Sequence, residues 1–133
     1  MMSTLDTAAS ALTAQRVRMD TVAANLANLN TTRQPDGSKV PYQRRFVVFE
    51  PQRDPAGNPG VRVADVRRDP TPFPKVFDPG HPDANADGFV EMPNVDVAIE
   101  SVNMLDASRA YEANVTMIET TKSMLNAALR LIA

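Results

Sequence analysis

Six residues in the middle of the chain have the spacing of a cation site: Asp83-Ala84-Asn85-Ala86-Asp87-Gly88. Alternate oxygen-bearing side chains followed by a glycine open the EF-hand calcium loop, where hard oxygens surround a hard divalent ion. The match then stops. Position twelve of that loop should be a bidentate Glu and here is Asn94, while Asp78-Pro79-Gly80-His81-Pro82 cannot form the entering helix. The same residues read equally as a run of Asx turns closing on a glycine with positive φ. A calcium-binding adaptor module is kept as an alternative on Asp83, Asn85 and Asp87 alone.

Other chemistry is thinner. His81 is the single histidine and there is no cysteine, so no zinc site of ordinary composition can be assembled. A Ser-His-Asp arrangement would need His81 as base, yet no Gly-x-Ser-x-Gly elbow is present, and no Walker or Gly-x-Gly-x-x-Gly loop cradles a phosphate. The chain is therefore expected not to be an enzyme, to take no cofactor or metal, and to have no small-molecule substrate. A net charge of −2 supplies no global field for nucleic acid. No run of about 18 apolar residues is present, so a membrane-spanning helix is not expected. Met1-Met2-Ser3-Thr4-Leu5-Asp6 lacks the basic start and apolar run of a cleaved signal peptide.

What must position anything in this chain is a pair of terminal helices. From Asn94 to Ala133 there is no Gly or Pro, and Val97, Met104, Tyr111, Ile118, Leu125 and Ile132 recur every seven residues. That spacing keeps side chains on one narrow stripe, the seam of a coiled coil. Ser101, Ser108, Val115, Lys122 and Leu129 are read as its companion row. A helix of about 36 residues is about 54 Å long, too long to be covered by a small globule. At the other end, Leu5, Leu12, Met19 and Leu26 repeat with Ala8, Gln15, Val22 and Leu29, predicting a helix over about 4–29. Ser3 or Thr4 is its expected N-cap. Asn25, Asn28 and Asn30 followed by Thr31 mark its exit, with Asn25 and Asn28 read as capping, solvated groups or as amides for backbone or a neighbouring chain.

Between the helices the composition changes. All 11 Pro and 5 Gly lie within 32–93. Tyr42–Glu50 and Val61–Val66 read as strands of a hairpin with a long Pro/Gly connection over 51–60, and 73–77 and 89–92 as shorter strands. Pairing of the strands would bring Arg44 and Arg45 near Arg67 and Arg68, read as solvated or interface residues. The expected fold is α+β: an antiparallel coiled coil of N- and C-terminal helices (1–31 and 94–133) with a small loop-rich β region (32–93) inserted between them.

Two segments carry a family resemblance. Val22-Ala23-Ala24-Asn25-Leu26-Ala27-Asn28-Leu29-Asn30-Thr31 resembles the Asn-rich N-terminal signature of bacterial flagellar basal-body rod and hook proteins. Ala24 replaces its first Asn and Leu29 a usual Ala. Asn94, Asp96, Glu100, Tyr111 and Asn114 fall in a stretch similar to the C-terminal signature of the same family, and Asp78–Val90 resembles the middle of its short proximal-rod members. The resemblance implies a structural subunit that assembles helically with other rod proteins into the proximal rod, a drive shaft that transmits motor torque and encloses an export channel. Another member of the rod family is the second reading. The implied partners are other proximal and distal rod proteins, the rod–membrane-ring adaptor, the membrane ring and further copies of the chain. The implied location is the periplasmic part of the flagellar basal body, reached by export without a cleaved signal peptide.

The assembly seam is expected to place Leu5, Leu12, Met19, Val22, Leu26 and Leu29 against Met104, Tyr111, Ile118 and Leu125, with Val97 and Ile132 at the ends of the row. Tyr111→Asp puts a charge into that seam. It is expected to abolish swimming in soft agar; a motile variant would remove Tyr111 from the interface.

Overall fold

The computed structural model describes residues 2–133. Helix α1 (Met2–Ala27) and helix α2 (Val97–Ile132) flank two small antiparallel sheets. One pairs β1 (Arg45–Arg53) with β2 (Pro59–Arg68), the other β3 (Lys75–Phe77) with β4 (Phe89–Glu91). The class is α+β, as the composition shift predicted. The helices run antiparallel: Asn25 near the end of α1 meets Glu100 in the first turn of α2, and Arg18 hydrogen-bonds Asn103 at 3.3 Å.

Helix α1 already includes Ser3 and Thr4, so neither is an N-cap. Helix α2 does have a side-chain cap. Asp96 is extended and its carboxylate accepts from the N–H groups of Ala98 and Ile99. The Asn-rich block ends α1 as expected: Asn28 Nδ2 donates to the Ala24 carbonyl at 2.8 Å and its Oδ1 accepts from Thr31 Oγ1 at 3.1 Å.

The companion row of α2 differs from the expectation. Glu100, Ala107 and Thr121 are buried and Asn114 and Ala128 half-buried, whereas of the expected row Ser108 and Val115 are half-buried and Ser101, Lys122 and Leu129 exposed. The row lies three residues after Val97, Met104, Tyr111, Ile118 and Leu125, not four. An acid and small polar residues at those positions hid it from an apolar count. Ala8, Ala14 and Ala107 are all but fully buried. With methyl groups at these points, the helices and the hairpin approach closely.

The hairpin runs further and its turn is tighter than predicted, while Tyr42–Arg44 of the expected first strand lie before β1. Pro51–Arg53 and Pro59–Gly60 belong to the strands, leaving Asp54–Asn58 as the turn. Asp54 ties it: its carbonyl accepts from Gly57 N–H at 2.9 Å and its carboxylate from Asn58, while Gly57 takes φ 83°. The pairing register shifts between Val48 and Phe49, opposite Ala64, which bends the ribbon. The bent ribbon lies along α1. Thr7 Oγ1 donates to the Pro59 carbonyl at 2.6 Å and Ser10 Oγ accepts from Val61 N–H at 3.1 Å. The β region thus shares a boundary with the helix along most of its length.

The Asp83–Gly88 segment is a set of turns. Asn85 Oδ1 accepts from the N–H groups of Asp87 and Phe89, and Gly88 has φ 84°. A Cβ at Gly88 would stand 2.9 Å from the Phe77 ring, so both the backbone and the space demand glycine. Phe77 and Phe89 pack edge-to-face at 5.3 Å beside it.

Candidate assembly interface

Where α1, α2 and the start of β1 converge, the structure holds a buried cluster of polar side chains. Asn25 is its centre and is fully buried. Its Nδ2 donates to the Arg45 carbonyl at 2.8 Å and to Glu100 Oε2 at 3.2 Å. Its Oδ1 accepts from Arg45 N–H and from Tyr42 Oη, each at 3.0 Å. Two donors and two acceptors exhaust what a carboxamide offers. Asn25 is therefore neither a cap nor solvated, in contrast to one expectation for it. It is the joint between α1 and the hairpin.

Glu100 is also fully buried. A buried carboxylate needs a cation and hydrogen bonds, and Arg44 supplies both through Nε on Oε1. Arg44 Nη1 also reaches Asp69 Oδ2 at 3.2 Å. Burial works against the charge of Arg44, but the hydrogen bond and charge of Glu100, then those of Asp69, outweigh it and raise the guanidinium pKa. Asp69, just after β2, receives hydrogen bonds from the hydroxyl and backbone N–H of Thr71; with Arg44 these hold its carboxyl below the usual carboxylate range. Asn94 closes the ring. Its Oδ1 accepts from Arg44 N–H at 2.7 Å and its Nδ2 donates to the Asp69 and Thr71 carbonyls.

This junction brings together four of the residues singled out in sequence: Asn25, Asn94, Glu100 and, as cap of the same helix, Asp96. Arg44 was read as a solvated or interface residue and is instead half-buried in the junction. Tyr42 and Asp69 were not anticipated. The available signal was Glu100 itself, an acid on the buried side of a long helix that has to find a cation elsewhere. Asn114 sits on the inner row of α2, donating to the Ala110 carbonyl at 2.7 Å; Asn30 is exposed.

Along the helices, Val22 is buried, and Leu5, Leu12, Met19, Leu26, Leu29, Met104, Tyr111, Ile118 and Leu125 are half-buried. Val97 and Ile132 are exposed. Helix α2 carries a second set of apolar side chains facing water: Ile99, Val102, Met117, Met124 and Leu131. At about 100° per residue these fall within a sector of about 60° roughly opposite Tyr111, in which Asp106 is the one charge. The last turns add Leu129 and Ile132, so the end of α2 is apolar almost all round.

The candidate cation loop is engaged otherwise. Asp83 accepts from Thr32 Oγ1 at 2.6 Å and from Arg33 Nε, and these bonds lower its pKa. No cluster of three or more His, Cys, Asp or Glu side chains suited to a metal occurs among the described residues.

Comparison with known proteins places the two halves of the junction in two recognised segments. Residues 5–33 match the profile described as "Flagella basal body rod protein" and residues 86–131 that described as "Flagellar basal body rod FlgEFG protein C-terminal". The chain is 46% identical to the flagellar basal-body rod protein FlgC of Bacillus subtilis, over 96% of this chain and 95% of that protein. It is 47% identical to FlgC of Escherichia coli, over 94% and 92%, and 39% identical to that of Borreliella burgdorferi, over 99% and 97%. The chain belongs to the flagellar basal-body rod protein family. It is a FlgC-like structural subunit of the basal-body rod. In rod-family terms, Asn25 comes from the N-terminal segment and Asn94 and Glu100 from the C-terminal one, and the fold makes them a single object. No helix of the structure is long and apolar enough to cross a membrane.

Two outcomes follow for this rod subunit. Glu100→Ala leaves Arg44 half-buried with Asp69 alone and is expected to cost about 3 kcal/mol, read from urea unfolding; Glu100→Gln should cost less, because its amide oxygen still accepts one of the two bonds that Arg44 and Asn25 donate. Asp69 has a folded pKa below its unfolded one. Its contribution is complete above the unfolded value, about 4, and is lost as pH falls through the folded value. Asp69→Asn should therefore melt lower than the parent at neutral pH, with the gap closing in acid.

Proposed function

We propose that this rod-family chain is a subunit of the proximal rod, where residues 1–31 and 94–133 form the axial part of a helical tube and residues 32–93 lie outside it. The observation that carries this is the apolar surface α2 leaves uncovered. Helix α2 has 36 residues against 26 in α1, and its outer stripe and last turns expose Ile99, Val102, Met117, Met124, Leu129, Leu131 and Ile132. Contiguous apolar surface of this kind marks a place of protein contact. A helix with one face on α1 and another facing out fits between neighbours, as a stave does in a tube. Contacts between different surfaces of successive subunits make an open helical array.

The role is structural and not catalytic. Its partners are other proximal and distal rod proteins, the rod–membrane-ring adaptor, the membrane ring and further copies of itself, within the periplasmic span of the envelope. Leu5, Leu12, Met19, Val22, Leu26 and Leu29 with Met104, Tyr111, Ile118 and Leu125 form the intrachain seam; Val97 and Ile132 extend it to neighbours. In such a tube the rod would transmit torque through the junction, because Asn25, Arg44 and Glu100 bind the outer hairpin to both helices.

Ile132 is 84% exposed, so Ile132→Asp is expected to leave the melting temperature of the isolated chain unchanged. In cells the same variant should give basal bodies without a rod, seen by negative-stain imaging. Intact rods would show that the end of α2 is not an interface.

A further inference from the structure

The base of the hairpin holds two arginines that have no carboxylate partner among the described residues. Arg45 and Arg68 stand directly opposite in the β1–β2 register. Both backbone polar groups of Arg45 are turned to Asn25, away from β2, while the neighbouring Arg44 carbonyl accepts from Asp69 N–H at 2.8 Å. Arg45 and Arg68 are thus a non-hydrogen-bonded pair, in which Cα atoms approach to about 4.5 Å and side chains are closest. Like charges placed there repel. Among the described residues Arg33, Arg44, Arg62 and Arg67 each pair with a carboxylate; of the arginines without such a partner (Arg16, Arg18, Arg45, Arg53, Arg68, Arg109 and Arg130) only Arg45 and Arg68 stand opposite each other across a strand pair.

Arg45 and Arg68 line one surface depression together with Tyr42, Gln43, Gln34 and Ser38. Arg45 lies over the Tyr42 ring at 5.9 Å, and Tyr42 is itself bonded to Asn25. The buried junction therefore holds Arg45, and the strand register sets Arg68 opposite it. Planar forks of N–H donors carried by two directly opposed strand positions suit a carboxylate.

We propose that Arg45 and Arg68 form a carboxylate receptor, and that its occupant is α2 of a second copy of this chain, presenting Glu112 and Glu119. These two are exposed and one heptad apart, hence on one stripe with about 10.5 Å between them. Neither has an ion partner among the described residues. The contact joins two different surfaces, the hairpin base and a flank of α2, as an open assembly requires. A pair of arginines is small beside the clusters of about four to eight basic residues that bind anionic membranes, and the net charge of −2 disfavours nucleic acid. The proposal rests on the reading of the chain as a self-contacting rod subunit.

Sedimentation velocity of the purified full-length chain at low salt tests it, with circular dichroism confirming the fold of each variant. The parent should self-associate, and added salt should weaken association. Arg68→Glu, and separately Glu112→Arg with Glu119→Arg, should each weaken it about fivefold or more. The chain carrying all three changes should recover part of the lost association, because the carboxylate introduced at position 68 then meets an arginine while Arg45 stays unswapped. If Arg68→Glu sediments as the parent does, or the triple variant stays as weak as the variants it combines, the receptor is wrong. Arg68-dependent flotation with anionic phosphatidylserine vesicles, without a self-association defect, would assign the pair to a membrane surface and overturn the proposal. A parent that stays monomeric at every concentration refutes self-contact itself, whereas loss of association in Ile132→Asp alone refutes only the receptor.

Discussion

A carboxylate buried between two helices is the constraint the rest of this structure answers to. Glu100 has no access to water, so it must be paired and hydrogen-bonded or the fold is penalised by several kcal/mol. Arg44 and Asn25 meet that demand, and in doing so they fix three segments of chain relative to one another. Arg44 enters β1, Asn25 is on α1 and Glu100 on α2. Asp69 and Asn94 then hold Arg44 from behind, recruiting the segments that leave β2 and enter α2. Hydrogen bonds are directional where apolar contacts are not. The junction can therefore set the angle between hairpin and helices, which narrow apolar stripes alone would leave loose.

That precision matters because the apolar core is slight. The hydrophobic residues buried most completely are Ala8, Ala14, Val22, Val90 and Ala107, three of them alanines. Alanine brings helices close but removes little area from water. The larger side chains of the seam are only half-covered, and α2 exposes a second apolar stripe. An arrangement of this kind leaves a large share of burial for contact with other subunits. Rigid internal polar bonding and incomplete apolar burial are complementary in a protein that is to become part of a shaft.

The junction also explains why the β region cannot be treated as an independent appendage. Thr7 and Ser10 bond the far end of the ribbon to α1, and Asn25 bonds its base. The register shift that leaves Ala64 unpaired lies between these two attachments. The sequence predicts a long Pro/Gly connection over 51–60, but Asp54 and Gly57 close it as a tight turn and the strands extend through Pro51 and Pro59. Both prolines sit in a two-stranded ribbon, where each strand has a free edge and the missing N–H costs no ladder bond.

Periodicity and composition determined the two helices, their lengths within a few residues, the α+β class and the hairpin, because these depend on local spacing and on where Gly and Pro fall. The paired Asn-rich and Asn94–Asn114 segments were enough to mark the family. Tertiary structure decided which row of α2 turns inward, because Glu100, Asn114 and Thr121 are polar and an apolar count passes over them. It decided the roles of Asn25 and Arg44 for the same reason: a buried polar group is defined by partners 20 to 75 residues away, and no local pattern encodes them. The chain states by itself that it has two helices in want of company. Only the fold shows that they are clamped at one end by a single buried carboxylate.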